Sequence, residues 1–312
     1  MRLPQHATPA PTPRVRTEFW IVRLAVAALG ALPRPVARAV GRLIGAVAYA
    51  AIPRLRRVGR LNLRLALPDS APAERHRILR GVYRNLGLQL AEFCQMRSYT
   101  ARQASRIIRY DGLDRYLRAR NRGRGVLVLT GHLGAWELSS FFHSLMGFPM
   151  GMVIRRLDNP LVDAMVNRIR CLHGNLVLHK DDFARGLIAQ MRSGGTVGIL
   201  MDTNMTPPQG VFVPFFGMLA CTASGLARVA RKTGAAVLPG FLLWERSEQR
   251  YVLHFGQELP ISATADHELD AEVNTAHFTA VIESYVRRYP DQWLWMHRRW
   301  KTRPPGEGAI YP

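Results

Sequence analysis

Val126-Leu-Val-Leu-Thr-Gly-His132-Leu-Gly-Ala-Trp-Glu137-Leu-Ser-Ser-Phe-Phe142 is the stretch on which the reading of this chain turns. Its apolar run stops at Thr130, Gly131 and Gly134 flank a turn, and a mainly apolar segment follows. The pattern predicts a buried strand that passes through a tight turn into a helix. On one continuous helix, side chains five residues apart point about 140° away from each other. His132 and Glu137 therefore meet only if His132 lies in the turn and Glu137 in the first helical turn. So placed, the carboxylate fixes the imidazole tautomer and stabilises the imidazolium that forms when His132 takes a proton. Activation of a hydroxyl needs that arrangement. The helix N-terminus adds backbone N–H groups that face an anion readily. A histidine after a strand is also a common polar cap, and a first-turn glutamate matches the helix dipole. The two residues alone leave both readings open.

On either side of this stretch, short apolar runs alternate with helical segments. Strands are predicted at 125–130, 150–154, 176–178, 196–201, 235–244 and 251–255. Helices are predicted near 135–146, 160–173, 182–193, 222–233 and 271–289. Before them, 72–97 and 101–120 carry helical periodicity, and Pro68-Asp69-Ser70 marks a turn. Strands separated by helices predict an α/β fold, a mixed sheet flanked by helices.

The N-terminal portion reads differently. Residues 1–17 are rich in Pro, Thr and Arg and are expected to be a disordered basic tail. Residues 18–52 are strongly apolar, with Arg23, Arg34, Arg38 and Arg42 and two prolines between. Each apolar run is shorter than the roughly 20 residues a simple span needs. They fit helices lying in a membrane interface, with arginines reaching phosphates and Trp20 at the edge. Buried helices of a soluble protein are the alternative. The expected organisation is a tail at 1–17, membrane-attachment helices at 18–69 and a catalytic domain at 70–312.

The 312 residues are 48% apolar, enough to bury a sizeable core, and the formal net charge of +21 favours anionic partners. Only three of the 43 basic residues are lysines, a bias that a GC-rich genome also produces. Three cysteines form no CxxC pair, which argues against a disulfide framework and for a reducing compartment. His143, His173 and His179 lack metal-ligand spacing and read as structural. No GxSxG elbow, HExxH helix, P-loop or GxGxxG after a strand is present, and no recognition helix or RNP pattern points to nucleic acid.

The segment around His132 resembles the H-x-x-x-x-D/E motif of the lysophospholipid acyltransferase superfamily. It is most similar to the Gly-His-x-Gly-Asn-Trp-Glu form of the lipid A late acyltransferases of Gram-negative bacteria, with Ala135 in place of the usual Asn. Four further blocks follow in order. They are Arg56-Arg57-Val58 with Asn62 through Pro68, Arg155 through Asn159-Pro160 to Arg170, Asp202 with Gly210 through Gly217 and Thr222, and Tyr289-Pro290 through Trp295, His297 and Pro304.

This resemblance implies a glycerolipid-acyltransferase-like fold at the cytoplasmic face of the inner membrane. It implies transfer of a fatty acyl chain from an acyl thioester, on acyl carrier protein or coenzyme A, to a hydroxyl of a lipid A precursor. Another glycolipid or a lysophospholipid is the alternative acceptor, and no cofactor or metal is called for. In that light His132 is the general base and Glu137 its partner. Arg155 and Arg170 are expected to hold phosphate groups with bidentate forks. Asp202 ends a strand and is expected to position the acceptor. Phe215 and Phe216 are expected to line an acyl channel. The C-terminal Trp293, Trp295 and Trp300, interleaved with basic residues, suit a membrane interface. A catalytically idle membrane-binding protein and a hydrolase are the competing classes; the intact His132 and Glu137 count against the first, and no nucleophile motif supports the second.

Overall fold

In the computed structural model, which describes residues 11–179 and 183–311, the chain opens with four helices. They are α1 (Pro13–Ala31), α2 (Arg34–Ala51), α3 (Pro53–Ala66) and α4 (Pro72–Gln95). Prolines at their first turns preset the backbone where the N–H would be unpaired anyway. There follow α5 (Ala101–Ile107), β1 (Ile108–Asp111), α6 (Leu113–Asn121), β2 (Val126–Thr130), α7 (Trp136–Leu145) and β3 (Gly151–Ile154). The middle of the chain adds α8 (Pro160–Arg170), β4 (Leu176–His179), α9 (Phe183–Arg192) and β5 (Thr196–Leu200). The last third adds β6 (Gly210–Phe215), β7 (Met218–Ala223), α10 (Gly225–Thr233), β8 (Ala236–Glu245), β9 (Arg250–Phe255) and α11 (His267–Arg288).

Seven strands form one sheet in the order β1-β9-β8-β2-β5-β3-β4. β2, β3, β4, β5 and β8 run parallel, β9 runs antiparallel to β8, and β1 follows β9. The sheet is therefore mixed and flanked by helices, as expected. Strand β2 lies between β8 and β5 and is covered on both faces. Leu127 and Leu129 join the core with α4, α9, α10 and α11, whereas Val126 and Val128 join the core with α6 and α7. The alternation is the two-residue period of a strand, and the continuous apolar run is what burial on both sides requires.

Two strand features depart from the expected pattern. Strand β1 lies inside the stretch expected to be helical. It is a short edge strand with Arg109 and Asp111 among its four residues, too polar to stand out. No strand is predicted between 202 and 234, yet β6 and β7 pair there as a hairpin. Its two turn residues, Phe216 and Gly217, both have positive φ (52° and 75°), the geometry of a tight hairpin turn.

The N-terminal stretch is helical from Pro13, inside the expected disordered tail; residues 1–10 of that tail lie outside the described residues. Arg34 and Arg38, expected to reach outward, turn inward to the buried Glu92. Arg34 Nη2 sits 2.6 Å from its carboxylate, Arg38 also contacts it, and the Tyr99 hydroxyl donates at 2.5 Å. A buried carboxylate needs paired charge and hydrogen bonds, and the two arginines supply both. Among the described residues, nine of the sixteen exposed large apolar side chains nevertheless lie between Trp20 and Leu55, on α1 to α3 and the junctions between them. Among the described residues no single helix is long and apolar enough to cross a membrane. The bent pair α2 and α3, 88° apart, reaches that length and composition together.

Helix α2 meets α4 backbone to backbone. A Cβ placed on Gly87 would lie 1.9 Å from the Gly41 carbonyl oxygen, and one on Gly41 would lie 2.2 Å from that of Gly87. Gly87→Ala should thus lower stability by about 1–3 kcal/mol, the usual cost of overpacking, despite the better helix propensity of alanine. Gly186→Ala on α9, where the nearest atom is a leucine methyl at 3.4 Å, should be neutral or slightly stabilising. Thermal melts of the two variants followed by circular dichroism give the comparison.

Candidate active site

The turn after β2 places His132 at the carboxyl end of the parallel strands, where α/β folds put their chemistry. Gly134 there has φ 68°, and a Cβ on it would fall 2.0 Å from the Leu242 carbonyl oxygen, so only glycine fits. The turn is held from three sides. Gly134 N–H donates to the Gln292 carbonyl (3.0 Å), Ala135 N–H to the Leu242 carbonyl (2.8 Å), and Leu294 N–H to the His132 carbonyl (3.1 Å).

Asp202, just beyond β5 on the neighbouring strand, is the residue that holds His132. The His132 backbone N–H donates to Asp202 Oδ2 at 2.7 Å, and its Nδ1 lies 2.9 Å from Oδ1. Trp293 Nε1 donates to the same Oδ2 at 2.8 Å. Three contacts thus lock the carboxylate, which is fully buried. Next to it, a Cβ on Gly131 would come within 3.0 Å of Asp202 Cγ, so glycine is what lets the carboxylate in.

The electrostatics of the pair are mutual. Burial pushes the His132 imidazole down, but the charge and hydrogen bond of Asp202, with a smaller pull from Glu137, leave it raised above the ordinary histidine value. Burial likewise pushes the Asp202 carboxyl up, and His132 and Trp293 overcome that and hold it below the usual carboxylate range. With a carboxylate at Nδ1, the proton belongs on Nδ1, and Nε2 is left as the basic nitrogen. The His132 side chain keeps 26% of its surface exposed, enough to meet a substrate.

Glu137 does not bond to His132, contrary to the expected pairing. It sits in the first turn of α7 and takes a bidentate ion pair from Arg170, with Nε at 2.9 Å and Nη2 at 2.5 Å. Arg170, at the end of α8, is further fixed by Asn167 Oδ1 at 3.1 Å. Its fork is therefore committed to Glu137, although it was expected to hold a substrate phosphate. Arg155 follows β3 and is exposed, paired with Asp158 three residues on. Ala135 caps α7 without a side-chain hydrogen bond, so the first N–H groups of that helix have no cap partner beside His132.

Phe215 and Phe216 lie in a packed aromatic core. The Phe215 ring centroid is 5.4 Å from Trp293 and 5.9 Å from Trp300, and Phe216 is 5.6 Å from Trp295. The three C-terminal tryptophans are fully buried and face no membrane, contrary to expectation. They fill the space beneath the His132 turn, and Arg299 is buried with them, donating to the Cys221 carbonyl (2.9 Å) and Thr222 Oγ1 (2.5 Å). Trp293 is the site residue that sequence reasoning missed. Its block stood out by composition, but only the fold shows one indole reaching Asp202. His143, assigned to structure, is buried at 2.8 Å from the Tyr110 hydroxyl, and burial pushes its pKa down to about 3.

Comparison with known proteins adds independent findings. The family model described as bacterial lipid A biosynthesis acyltransferase matches residues 7–302. The lipid A biosynthesis palmitoleoyltransferase of Escherichia coli (strain K12) is 29% identical over 90% of this chain and 90% of its own length. The lipid A biosynthesis lauroyltransferase of the same organism is 28% identical over 99% of both chains. A lipid A biosynthesis acyltransferase of Haemophilus influenzae is 26% identical over 92% of both.

Proposed function

Since the chain belongs to the bacterial lipid A biosynthesis acyltransferase family, we propose that it transfers a fatty acyl chain from an acyl thioester to a hydroxyl of a lipid A precursor, with His132 as the general base. The observation that carries the mechanism is the lock of His132 on buried Asp202. In this reading Nε2 takes the proton of the acceptor hydroxyl. The oxygen attacks the thioester carbonyl, and the tetrahedral oxyanion faces the uncapped N–H groups at the start of α7. The carbon–sulfur bond then breaks, and the thiolate leaves with the proton returned from His132.

Asp202 takes the role first given to Glu137, holding the tautomer and balancing the imidazolium. Glu137 and Arg170 form a rigid ion pair beside it that shapes the substrate entry, and Glu137 adds a smaller electrostatic pull on His132. Arg155, exposed at the same edge of the sheet, is the arginine left to meet an anionic group of donor or acceptor. Phe215 and Phe216 back the acyl channel, a reading supported by the contact of Phe215 with Trp293 behind the site. The net charge of +21 suits an anionic acyl donor, which the acidic carrier protein and coenzyme A both are. The exposed apolar side chains of α1 to α3 support attachment to a membrane surface, and the family's lipid acceptor favours the cytoplasmic face of the inner membrane as its place.

Lipid mass spectrometry of a strain lacking this protein is expected to show lipid A short of one secondary acyl chain, restored by the wild-type chain and not by His132→Ala. An unchanged lipid A with a phospholipid or another glycolipid losing the acyl chain would move the acceptor to the alternative class.

A further inference from the structure

We propose that a groove along α3, whose lining does not include His132 or Asp202, binds the phosphate headgroup of an anionic lipid. The groove, partly open to solvent, holds about 780 Å³ and is lined by Arg54, Arg57, Arg60, Arg64, Arg75 and Arg298, with His76 and Tyr311 and, among the described residues, no carboxylate. Four of these arginines recur at three- and four-residue spacing, which sets them on one face of α3, where like charges repel. A helix holds such a row at little cost when an anion sits among its guanidinium forks.

The wall of the groove is fixed. Asn62 on α3 donates to the Trp295 and His297 carbonyls at 2.7 Å each and accepts from the Tyr311 hydroxyl at 2.7 Å. Arg75 is tied to the Leu67 and Pro68 carbonyls at 3.0 Å. The volume suits a headgroup-sized ligand rather than a protein surface. Beyond the groove, at the start of α3 and across the bend on α2, Ile52, Leu55, Val47 and Leu43 are exposed, Leu55 on the side of α3 opposite the arginines. A ligand with phosphate at one end and hydrocarbon at the other satisfies both surfaces, which a soluble phosphate does not. The assignment rests on the membrane attachment proposed above, and it names the lipid class that attachment selects.

The test is co-sedimentation of the full chain with phosphatidylcholine vesicles, with and without added phosphatidylglycerol. Wild-type protein should bind both and prefer the anionic ones. The triple variant Arg57→Ala, Arg60→Ala, Arg64→Ala should lose that preference by about tenfold or more, given the worth of charge-assisted hydrogen bonds. A charge-matched control, Arg102→Ala, Arg106→Ala, Arg118→Ala, should keep it, with both folds checked by circular dichroism. Equal loss in the two triples would reduce the effect to net charge and overturn the groove. So would an unchanged preference in the groove variant. Pyrophosphate binding that the groove variant loses, with vesicle binding intact, would make the occupant a soluble phosphate and overturn the lipid assignment. Failure of wild-type protein on neutral vesicles alone would sink the apolar attachment while leaving the headgroup site standing.

Discussion

His132→Ala is expected to lower turnover by about 10²–10⁴-fold while leaving the fold intact. At neutral pH an alcohol is almost wholly protonated, so attack on a thioester depends on a base, and Nε2 of His132 is the basic nitrogen the site presents. Removing the imidazole leaves Asp202 with Trp293 Nε1 and the backbone N–H of residue 132 as donors, so the carboxylate keeps two of its three contacts and the backbone bonds of the turn are untouched. The measurement is acyl transfer from a defined acyl thioester to purified lipid acceptor, with circular dichroism on each variant. His143→Ala serves as the comparison: that imidazole is buried against Tyr110 and is expected to matter for stability and not for chemistry. Because Asp202 raises the His132 pKa, neutral His132 accumulates only above the ordinary histidine value, and wild-type kcat/KM should rise with pH through that raised value. Near-normal turnover by folded His132→Ala protein would remove this histidine from the mechanism.

Much of this architecture was legible along the chain, and the parts that were not share a cause. The central strands were readable because burial on both faces leaves a continuous apolar run, as in Val126–Thr130. The edge strand β1 was not, because one exposed side lets Arg109 and Asp111 into it. His132 stands out in the Gly-flanked turn and in the motif it resembles, but Asp202, which holds it in the fold, lies 70 residues on, and no local spacing links them. The nearer carboxylate, Glu137, is the partner that the resembled motif implies; in the fold Arg170 pairs with it. The places of the tryptophans and of Arg34 and Arg38 are hidden for the same reason, a partner far along the chain. A Trp-Arg-rich segment or an Arg-spaced apolar helix reads as a membrane surface until a buried partner is known. Asp202 is that partner for Trp293, and Glu92 is that partner for Arg34 and Arg38.

Asp202→Asn should cost nearly as much activity as loss of the histidine, about 10³–10⁴-fold, the scale seen when a carboxylate that orients a catalytic imidazole becomes an amide. An Asn oxygen can still accept from Trp293 Nε1 and the His132 N–H, so folding should survive. The amide NH₂ then faces Nδ1 and donates to it, which drives the imidazole proton to Nε2 and removes the base. Loss of the negative charge also lowers the His132 pKa, so the acid limb of the residual kcat/KM profile should move to lower pH than in wild type. Glu137→Gln makes the contrast. It breaks the bidentate pair with Arg170, a mostly buried guanidinium, and should cost about 3–5 kcal/mol in stability at the upper end, with a smaller shift of the His132 limb. Residues that act as a unit are not additive, so adding Asp202→Asn to His132→Ala should lower turnover little further. If instead Asp202→Asn retains turnover within a few-fold and leaves the acid limb unmoved, while folded Glu137→Gln is inactive, Glu137 and not Asp202 supports the base during turnover.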